Sequence, residues 1–168
     1  CCNGILFNHE SPLRGELFVT KKITKSLSRY ALGLQREDKI GNIFSQRDWG
    51  FAGDFVEGMY LMLQQKKADD YVLATNTTRT IKNFIDLSLK KLGIKYKWVG
   101  RNDKYMKCLD LKNNKIIFKT HKDFYRPLDL VYLKGNYSKA KKVLKWRPKT
   151  NLKNLISMMI EYDLKNEK

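Results

Sequence analysis

This sequence has few of the features that indicate a secreted, disulfide-bonded or membrane-spanning protein. It contains only three cysteines, the adjacent Cys1 and Cys2 and the isolated Cys108, and their spacing suits neither a disulfide framework nor a zinc site. No apolar run approaches the ~20 residues that a membrane-spanning helix needs. We therefore expect a cytoplasmic protein with reduced thiols and no membrane partner.

Acidic residues are also scarce, since 17 of them stand against 34 basic residues and leave a net charge of +17. A charge of this size raises nucleic acid as a partner. The basic residues are spread along the whole chain, however, with no dense block and no alternation of arginine with aromatic residues. A solvated basic face is the simpler interpretation, and a diphosphate ligand would also suit the charge, so we predict no nucleic-acid partner.

The common motifs of self-contained catalysis are missing from the sequence. It has no Gly-rich dinucleotide loop, no H-E-x-x-H, no nucleophile elbow and no P-loop. The string YSKAK, Tyr137 to Lys141, fits the Y-x-x-x-K pattern in which a lysine lowers the pKa of a tyrosine base, but no partner serine lies upstream in the usual position. We interpret it as a solvated helix turn, and we predict neither a catalytic residue nor a metal site.

The apolar pattern predicts an α/β fold in which strands alternate with helices. We predict a buried strand at residues 2–8, a short strand near Ile40, and strands in the strings DDYVLATN, YKWV and KIIFK. Helices are predicted to begin near residues 20, 54, 81, 138 and 152, and no element is predicted within the polar segment 100–115. These strands are too few for a complete doubly wound sheet, so we expect part of one. The sequence begins inside a predicted strand without an initiator methionine, and we expect further residues upstream.

The helix boundaries have their own local signals. Gly33 and Gly93 predict the ends of the first and third helices. Asp54 and Glu57 form a D-x-x-E pattern, which predicts a capping box at the start of the second helix. The apolar residues expected to be buried along that helix are Phe55, Val56, Met59, Met62 and Leu63.

Polar side chains crowd the end of the first predicted strand, in the stretch NHESPLRGELFVTKK. In open α/β sheets, ligands bind beyond the carboxyl ends of the strands, so this stretch lies where a site is expected. The Asn8 side chain can both donate and accept a hydrogen bond, and His9 can hydrogen-bond a cofactor or act as an acid–base group. Arg14 offers a planar guanidinium that suits phosphate or carboxylate. A structural histidine and a surface cation are the alternatives.

Two further strings combine an arginine with a carboxylate. In QRDWG, Arg47 adjoins Asp48 before a tight Gly50, and a structural Arg–Asp pair with Trp49 in the core is the alternative. In YRPLD, Arg126 is followed by Asp129, and this pair could hold a diphosphate and a ribose hydroxyl or form a weak surface ion pair.

Several strings, in the same order, resemble the second half of the GDP-mannose 4,6-dehydratases, a family of extended short-chain dehydrogenases/reductases. They are CNGILFNHESPLRGELFVTKKIT, LGLQ, GNIFSQRDWGFAGDFVEGMYLMLQQ, DDYVLAT, YRP and KAKKVLKWRPKT. The resemblance covers most of the chain except residues 95–120. It implies a partial Rossmann-like sheet interleaved with a small mixed α/β substrate-binding domain.

The resemblance also implies an activity, a cofactor and site residues. In the family, NADP oxidises C4 of the mannose, water is eliminated across C5 and C6, and the hydride returns to C6, which gives GDP-4-keto-6-deoxymannose. His9 and Arg14 match positions that contact NADP. Positions around GDP-mannose are matched by Asn8, Val19, Lys22, Arg47, Arg126 and Asp129.

The family's chain passes between two domains, and the resemblance implies the same here. Residues 1–15 and 43–76 would belong to the nucleotide domain, with strands at 2–8, 45–50 and 70–75 in its sheet. Residues 16–42 and 77–168 would belong mainly to the substrate domain. The full-length protein is expected to form a homodimer or homotetramer.

The chain also departs from the family's pattern. The Gly-rich loop and the catalytic groups lie upstream in the family, so this chain is expected to be inactive alone. Asp129 replaces the family's usual Glu, and Phe51 and Gly53 replace its usual His and Lys. Another nucleotide-sugar epimerase or dehydratase, an inactive fragment and a basic nucleic-acid-binding module remain alternatives.

Overall fold

The computed structural model describes residues 1–125 and 130–167, and the predictions for Arg126 and Asp129 lie outside these residues. Strands alternate with helices along the described chain. The strands are β1 (Gly4–Leu6), β2 (Asn8–Glu10), β3 (Asp38–Ile40), β4 (Gln46–Arg47), β5 (Trp49–Phe51), β6 (Tyr71–Leu73), β7 (Arg79–Thr80), β8 (Tyr96–Val99), β9 (Lys107–Asp110) and β10 (Ile116–Thr120). The α-helices are α1 (Val19–Ala31), α2 (Ala52–Leu63), α3 (Ile81–Lys91), α4 (Ser138–Val143) and α5 (Leu152–Asn166).

The first predicted strand is two strands with different partners. β1 pairs in parallel with β6, and β2 pairs in parallel with β5. Phe7 lies between them, and its amide still donates to the Leu73 carbonyl at the end of β6. The prediction of one buried strand at 2–8 is therefore wrong. It is also wrong about burial, because Ile5 is 55% exposed.

The largest sheet of the described chain has four strands in the order β3-β10-β9-β8. β3 is parallel to β10, whereas β9 is antiparallel to both of its neighbours. The sequence predicted no element at β9, yet Cys108 at its centre is fully buried. Burial and the carboxylate of Asp86 raise the pKa of the Cys108 thiol to about 12, so this thiol is protonated at neutral pH.

Helix boundaries agree with the glycine signals but not with the capping box. Gly33 and Gly93 follow α1 and α3 with φ of +77° and +69°, in the left-handed region that ends many helices. α2 begins at Ala52 with Phe51 as its N-cap residue and no side-chain cap, so the predicted capping box is wrong. The Asp54 carboxylate instead accepts hydrogen bonds from the backbone amides of Lys149 and Thr150, 2.9 and 2.8 Å away.

Two apolar clusters form the interior of the described chain. The larger one joins α1, α3 and α5 to the four-stranded sheet, and Leu155 and Ile156 of α5 lie within it. The smaller one joins α2, β6 and α4 around Trp146, whose Nε1 donates to the Asp54 carbonyl at 2.7 Å.

The predicted burial along α2 is only partly correct. Phe55 and Met62 belong to the smaller cluster and Met59 packs against it. Val56 and Leu63 are 60% and 72% exposed, contrary to the prediction. The Y-x-x-x-K string is not wholly solvated either, because Tyr137 packs edge-on against Trp146, with 5.7 Å between the ring centroids.

The structure gives a physical reason for the paired departures at Phe51 and Gly53. A Cβ atom added at Gly53 would lie 2.4 Å from Cε1 of the Phe51 ring. In this arrangement, the Phe51 ring occupies the space that a Cβ atom at position 53 would need.

No α-helix among the described residues is both long and apolar enough to cross a bilayer.

The buried position of α5 leads to a stability prediction. Leu155→Ala should lower the free energy of unfolding by about 2–5 kcal/mol, because it leaves a cavity in the larger cluster. Leu111→Ala, at a position 52% exposed in the turn after β9, should change it by only about 0.5 kcal/mol. Urea unfolding measures both variants, and equal losses would contradict this description of the core.

Candidate functional site

The larger of two neighbouring cavities lies where β2, α1 and β5 meet, and its volume is about 580 Å³. Four of the six residues predicted around the nucleotide-sugar line it: Asn8, Val19, Lys22 and Arg47. The other residues that line this cavity include two carboxylates and several apolar side chains. They are Glu10, Leu17, Phe18, Thr20, Ile40, Gly41, Asn42, Trp49, Ile81, Asp123 and Phe124.

The two cations of this cavity come from different elements. Lys22 lies in the first turns of α1, and its Nζ donates to the Lys39 carbonyl at 2.6 Å and lies 4.0 Å from the centroid of the Phe124 ring. Arg47 lies on β4, and its guanidinium donates to the carbonyls of Gln46 and Leu130. Backbone carbonyls hold both cationic side chains against the walls of one cavity, and the Asp38 carboxylate also lies 3.5 Å from Lys22 Nζ.

The N-terminus of α1 lies in the wall of the larger cavity. Phe18, Val19 and Thr20 line the cavity at this point. The helix has no acidic residue in its first turn and no side-chain cap on its N-cap residue. A helix N-terminus carries a partial positive charge, so it adds to the field of the two cations.

The smaller cavity, of about 370 Å³, contains the two residues predicted to contact the cofactor. His9 and Arg14 line it, and so does Asn8, which therefore lines both cavities. His9 Nδ1 lies 2.8 Å from the Phe7 carbonyl, which can only accept, so Nδ1 is the protonated nitrogen. The His9 ring also stacks on Phe55 at 5.1 Å, so it packs as a structural histidine does and still faces the cavity.

Glu10 connects the two predicted regions of the site, and the sequence analysis assigned it no role. Its buried carboxylate accepts a hydrogen bond from the Thr20 hydroxyl at 2.6 Å and lies 3.1 Å from Arg14 Nε. Arg14 also packs against the Phe18 ring, 3.5 Å from its centroid. Burial raises the pKa of the Glu10 carboxyl, and the Thr20 hydrogen bond and the charges of Arg14 and His9 offset only part of this rise.

The sequence analysis also missed the role of Phe124 in the cavity wall. Phe124 follows β10, beyond the segment 95–120 that the resemblance did not cover, and no role was predicted for it. Its half-exposed ring faces Lys22, a contact that only the pairing of β3 with β10 creates. Glu10, by contrast, stands inside the polar stretch after the first predicted strand, so its position in that stretch was a usable signal.

The positions of Asp48 and Trp49 bear on the structural alternative for QRDWG, in which Arg47 pairs with Asp48 and Trp49 lies in the core. Trp49 is buried in the larger cluster and also lines the larger cavity. Asp48 is fully buried, and its carboxylate accepts from the amide and hydroxyl of Thr75 and from the amide of Gly135. The alternative is therefore correct for Trp49, while Arg47 lines the cavity.

The buried Glu10 carboxyl leads to a pH prediction. Its raised pKa means that the folded state binds this proton more tightly than the unfolded state, so stability falls as pH rises above the ordinary value of 4.5. Glu10→Gln removes this titration, so the stability of the variant relative to the parent should increase between pH 4.5 and neutrality. Urea unfolding at a series of pH values measures the difference, and a constant difference would contradict the raised pKa.

Comparison with known sequences extends these observations. The family model described as GDP-mannose 4,6 dehydratase matches residues 1–159. GDP-mannose 4,6 dehydratase 1 of Arabidopsis thaliana is 48% identical over 163 residues, which cover 97% of this chain and 40% of that protein. GDP-mannose 4,6 dehydratase of Dictyostelium discoideum is 44% identical over 163 residues, which cover 97% of this chain and 46% of that protein. The chain thus spans less than half the length of either relative.

Solved structures with low sequence identity share the fold. RMD from Pseudomonas aeruginosa, complexed with NADPH, aligns with a TM-score of 0.78 at 16% identity, over 97% of this chain and 48% of that one. dTDP-glucose 4,6-dehydratase from Bacillus anthracis, in complex with NAD, aligns with a TM-score of 0.73 at 15% identity, over 98% of this chain and 44% of that one. These likenesses confirm the predicted α/β fold with a partial Rossmann-like sheet. Because the family model matches nearly the whole sequence, the chain belongs to the GDP-mannose 4,6-dehydratase family.

Proposed function

We propose that the protein containing this chain is an NADP-dependent GDP-mannose 4,6-dehydratase, and that this chain supplies its nucleotide-sugar cleft. The reaction would convert GDP-mannose to GDP-4-keto-6-deoxymannose. One observation carries the proposal: Asn8, Val19, Lys22 and Arg47, which are distant in sequence, line a single cavity that contains two cations and a helix N-terminus.

The charges of the larger cavity suit the diphosphate of GDP-mannose. A diphosphate carries negative charge on several oxygens and is held best by guanidinium, ammonium and backbone N–H donors in a partly dry cleft. Arg47, Lys22 and the first turn of α1 supply these three kinds of donor. The apolar and aromatic walls at Trp49, Ile40 and Phe124 would pack against the rest of the nucleotide. Arg126 and Asp129 are proposed as further contacts, on the resemblance alone.

The smaller cavity suits part of a nicotinamide cofactor. Its walls combine Ile5, Leu6 and Leu133 with the imidazole of His9 and the guanidinium of Arg14. An apolar wall favours a planar ring, and a guanidinium favours phosphate. When bound, NADP would take a hydride from C4 of the mannose and return one to C6. Asn8 lines both cavities, so it would lie between cofactor and sugar.

The two proposed domains would meet at the larger cavity. Asn8, Glu10, Arg47 and Trp49 belong to the segments proposed for the nucleotide domain, 1–15 and 43–76. The other lining residues belong to 16–42 and 77–168, proposed mainly for the substrate domain. Within the latter, α4 packs on β6 and α2 in the smaller cluster, so it would lie with the nucleotide domain.

The groups that perform the chemistry are proposed to lie outside these 168 residues. The relatives are more than twice as long as the matched region. We expect their additional residues to correspond to a Gly-rich cofactor loop and a catalytic Tyr-x-x-x-Lys, and this chain alone to be inactive. The full-length protein is proposed to be a cytoplasmic homodimer or homotetramer without nucleic-acid or membrane partners.

Ligand protection tests the role of Arg47. GDP-mannose should raise the thermal unfolding temperature of the full-length protein that contains this chain, and Arg47→Ala should remove most of this rise. A hydrogen bond to a charged group contributes about 1.5–3 kcal/mol, which corresponds to at least a tenfold loss of affinity. Calorimetric or fluorescence-monitored unfolding with and without GDP-mannose measures the effect.

Arg79→Ala is the matched control for this variant. Arg79 lies directly opposite Arg47 in the β4–β7 pair but does not line the larger cavity. The control should retain full protection. Equal protection in the parent and in Arg47→Ala would contradict the role given to Arg47.

Product analysis of the full-length protein separates the alternatives. A dehydratase releases a product that has lost one water, which mass spectrometry detects, whereas an epimerase changes only the stereochemistry of the sugar. A product of unchanged mass would therefore contradict the proposed reaction. Binding of RNA or DNA that weakens steeply with salt would instead favour a nucleic-acid-binding module.

A further inference from the structure

Asp48 is a buried carboxylate that joins three parts of the chain. It lies between β4 and β5 with no exposed surface. One oxygen accepts from the Thr75 amide at 2.8 Å and from the Thr75 hydroxyl at 2.6 Å, just after β6. The other oxygen accepts from the Gly135 amide at 3.2 Å. Asp48 thus connects the β4–β5 segment to residue 75 and to residue 135.

The segment that ends at Gly135 lines the smaller cavity and contacts Arg47, which lines the larger one. Its Leu130 carbonyl accepts a hydrogen bond from the Arg47 guanidinium, and its Leu133 side chain lines the smaller cavity. The backbone of Gln46 holds the middle of the segment, because the Gln46 amide donates to the Val131 carbonyl at 2.7 Å and the Gln46 carbonyl accepts from the Leu133 amide at 3.2 Å. The position of residues 130–135 therefore affects both Arg47 and the wall around His9.

Close packing fixes the far end of this segment. A Cβ atom added at Gly135 would lie 2.2 Å from the Ala74 Cβ and 2.8 Å from the Phe7 ring. Only glycine allows the backbone to approach β6 so closely. The approach places the Gly135 amide where the carboxylate can accept its hydrogen, so the packing and the hydrogen bond reinforce each other.

We infer that Asp48 is a positioning residue for the nucleotide-sugar site: its carboxylate holds residues 130–135 so that Arg47 and Leu133 keep their places in the two cavity walls. The identity of the ligand in this inference comes from the proposed function, whereas the geometry comes from the contacts of Asp48. An ionised carboxylate only accepts hydrogen bonds, and the three donors around Asp48 need acceptors on both of its oxygens. The side-chain oxygen of an asparagine could still accept the hydrogen bonds from Thr75. Its NH2 group would then point at the Gly135 amide, and two donors cannot form a hydrogen bond.

The test compares Asp48→Asn with Asp54→Asn in the full-length protein. Asp54 is a matched control because it is also a buried carboxylate that accepts two backbone amides, but these amides belong to Lys149 and Thr150, which line neither cavity. Both variants should unfold at a lower temperature than the parent.

Asp48→Asn alone should lower the affinity for GDP-mannose about tenfold, through loss of a charged hydrogen bond that holds the site. It should raise the KM for GDP-mannose with little change in kcat, because it acts on binding and not on the reacting atoms.

Hydrogen exchange of the unliganded protein separates this inference from the proposed function. In Asp48→Asn, the amides of Leu133 and Gly135, which donate to Gln46 and Asp48 in the parent, should exchange at least tenfold faster than in the parent, while in Asp54→Asn they should not. If exchange is faster in Asp48→Asn but the parent does not bind GDP-mannose, the positioning role is supported and the proposed ligand is overturned. Unchanged exchange and unchanged affinity in Asp48→Asn, with binding in the parent, would overturn the positioning role and leave the ligand in place.

Discussion

The parallel pairing of β2 with β5 is the contact on which the site depends. Its register sets Asn8 opposite Trp49, His9 opposite Gly50 and Glu10 opposite Phe51. This pairing brings the polar stretch after β1 beside the segment that contains Arg47 and Asp48. Asn8 lines both cavities, and α1, which follows the polar stretch, brings Lys22 to the cavity that Arg47 also lines.

Buried polar groups fix this arrangement more tightly than apolar packing alone could. The Glu10 carboxylate contacts both Thr20 and Arg14, and the Asp48 carboxylate accepts hydrogen bonds from Thr75 and Gly135. A buried carboxylate is costly unless its oxygens are satisfied, so each of them favours one arrangement of the segments it joins. The two cations that face the larger cavity therefore start from defined positions, which reduces the ordering that a ligand would have to impose.

Local patterns predicted much of the fold, and long-range contacts explain the remainder. Helices such as α1 and α3 followed from apolar spacing, and their ends followed from Gly33 and Gly93, because these signals lie within a few residues of each other. β9 was missed because its burial comes from pairing with β8 and β10 and not from its own sequence. The prediction of a capping box was wrong because the Asp54 carboxylate accepts hydrogen bonds from the amides of Lys149 and Thr150, far along the chain.

For the site, the strand-end rule and the resemblance together indicated Asn8, Lys22 and Arg47. Phe124 could not be predicted, since it reaches the cavity only through the β3–β10 pairing.

The central claim is that cationic side chains from α1 and β4 hold one sugar-linked diphosphate. A crystal or electron cryomicroscopy structure of the full-length protein with GDP-mannose tests it most directly. We expect diphosphate oxygens within hydrogen-bonding distance of Arg47 and Lys22, with the sugar directed towards Asn8. A diphosphate bound elsewhere, with the cavity between α1 and β5 left empty, would contradict it.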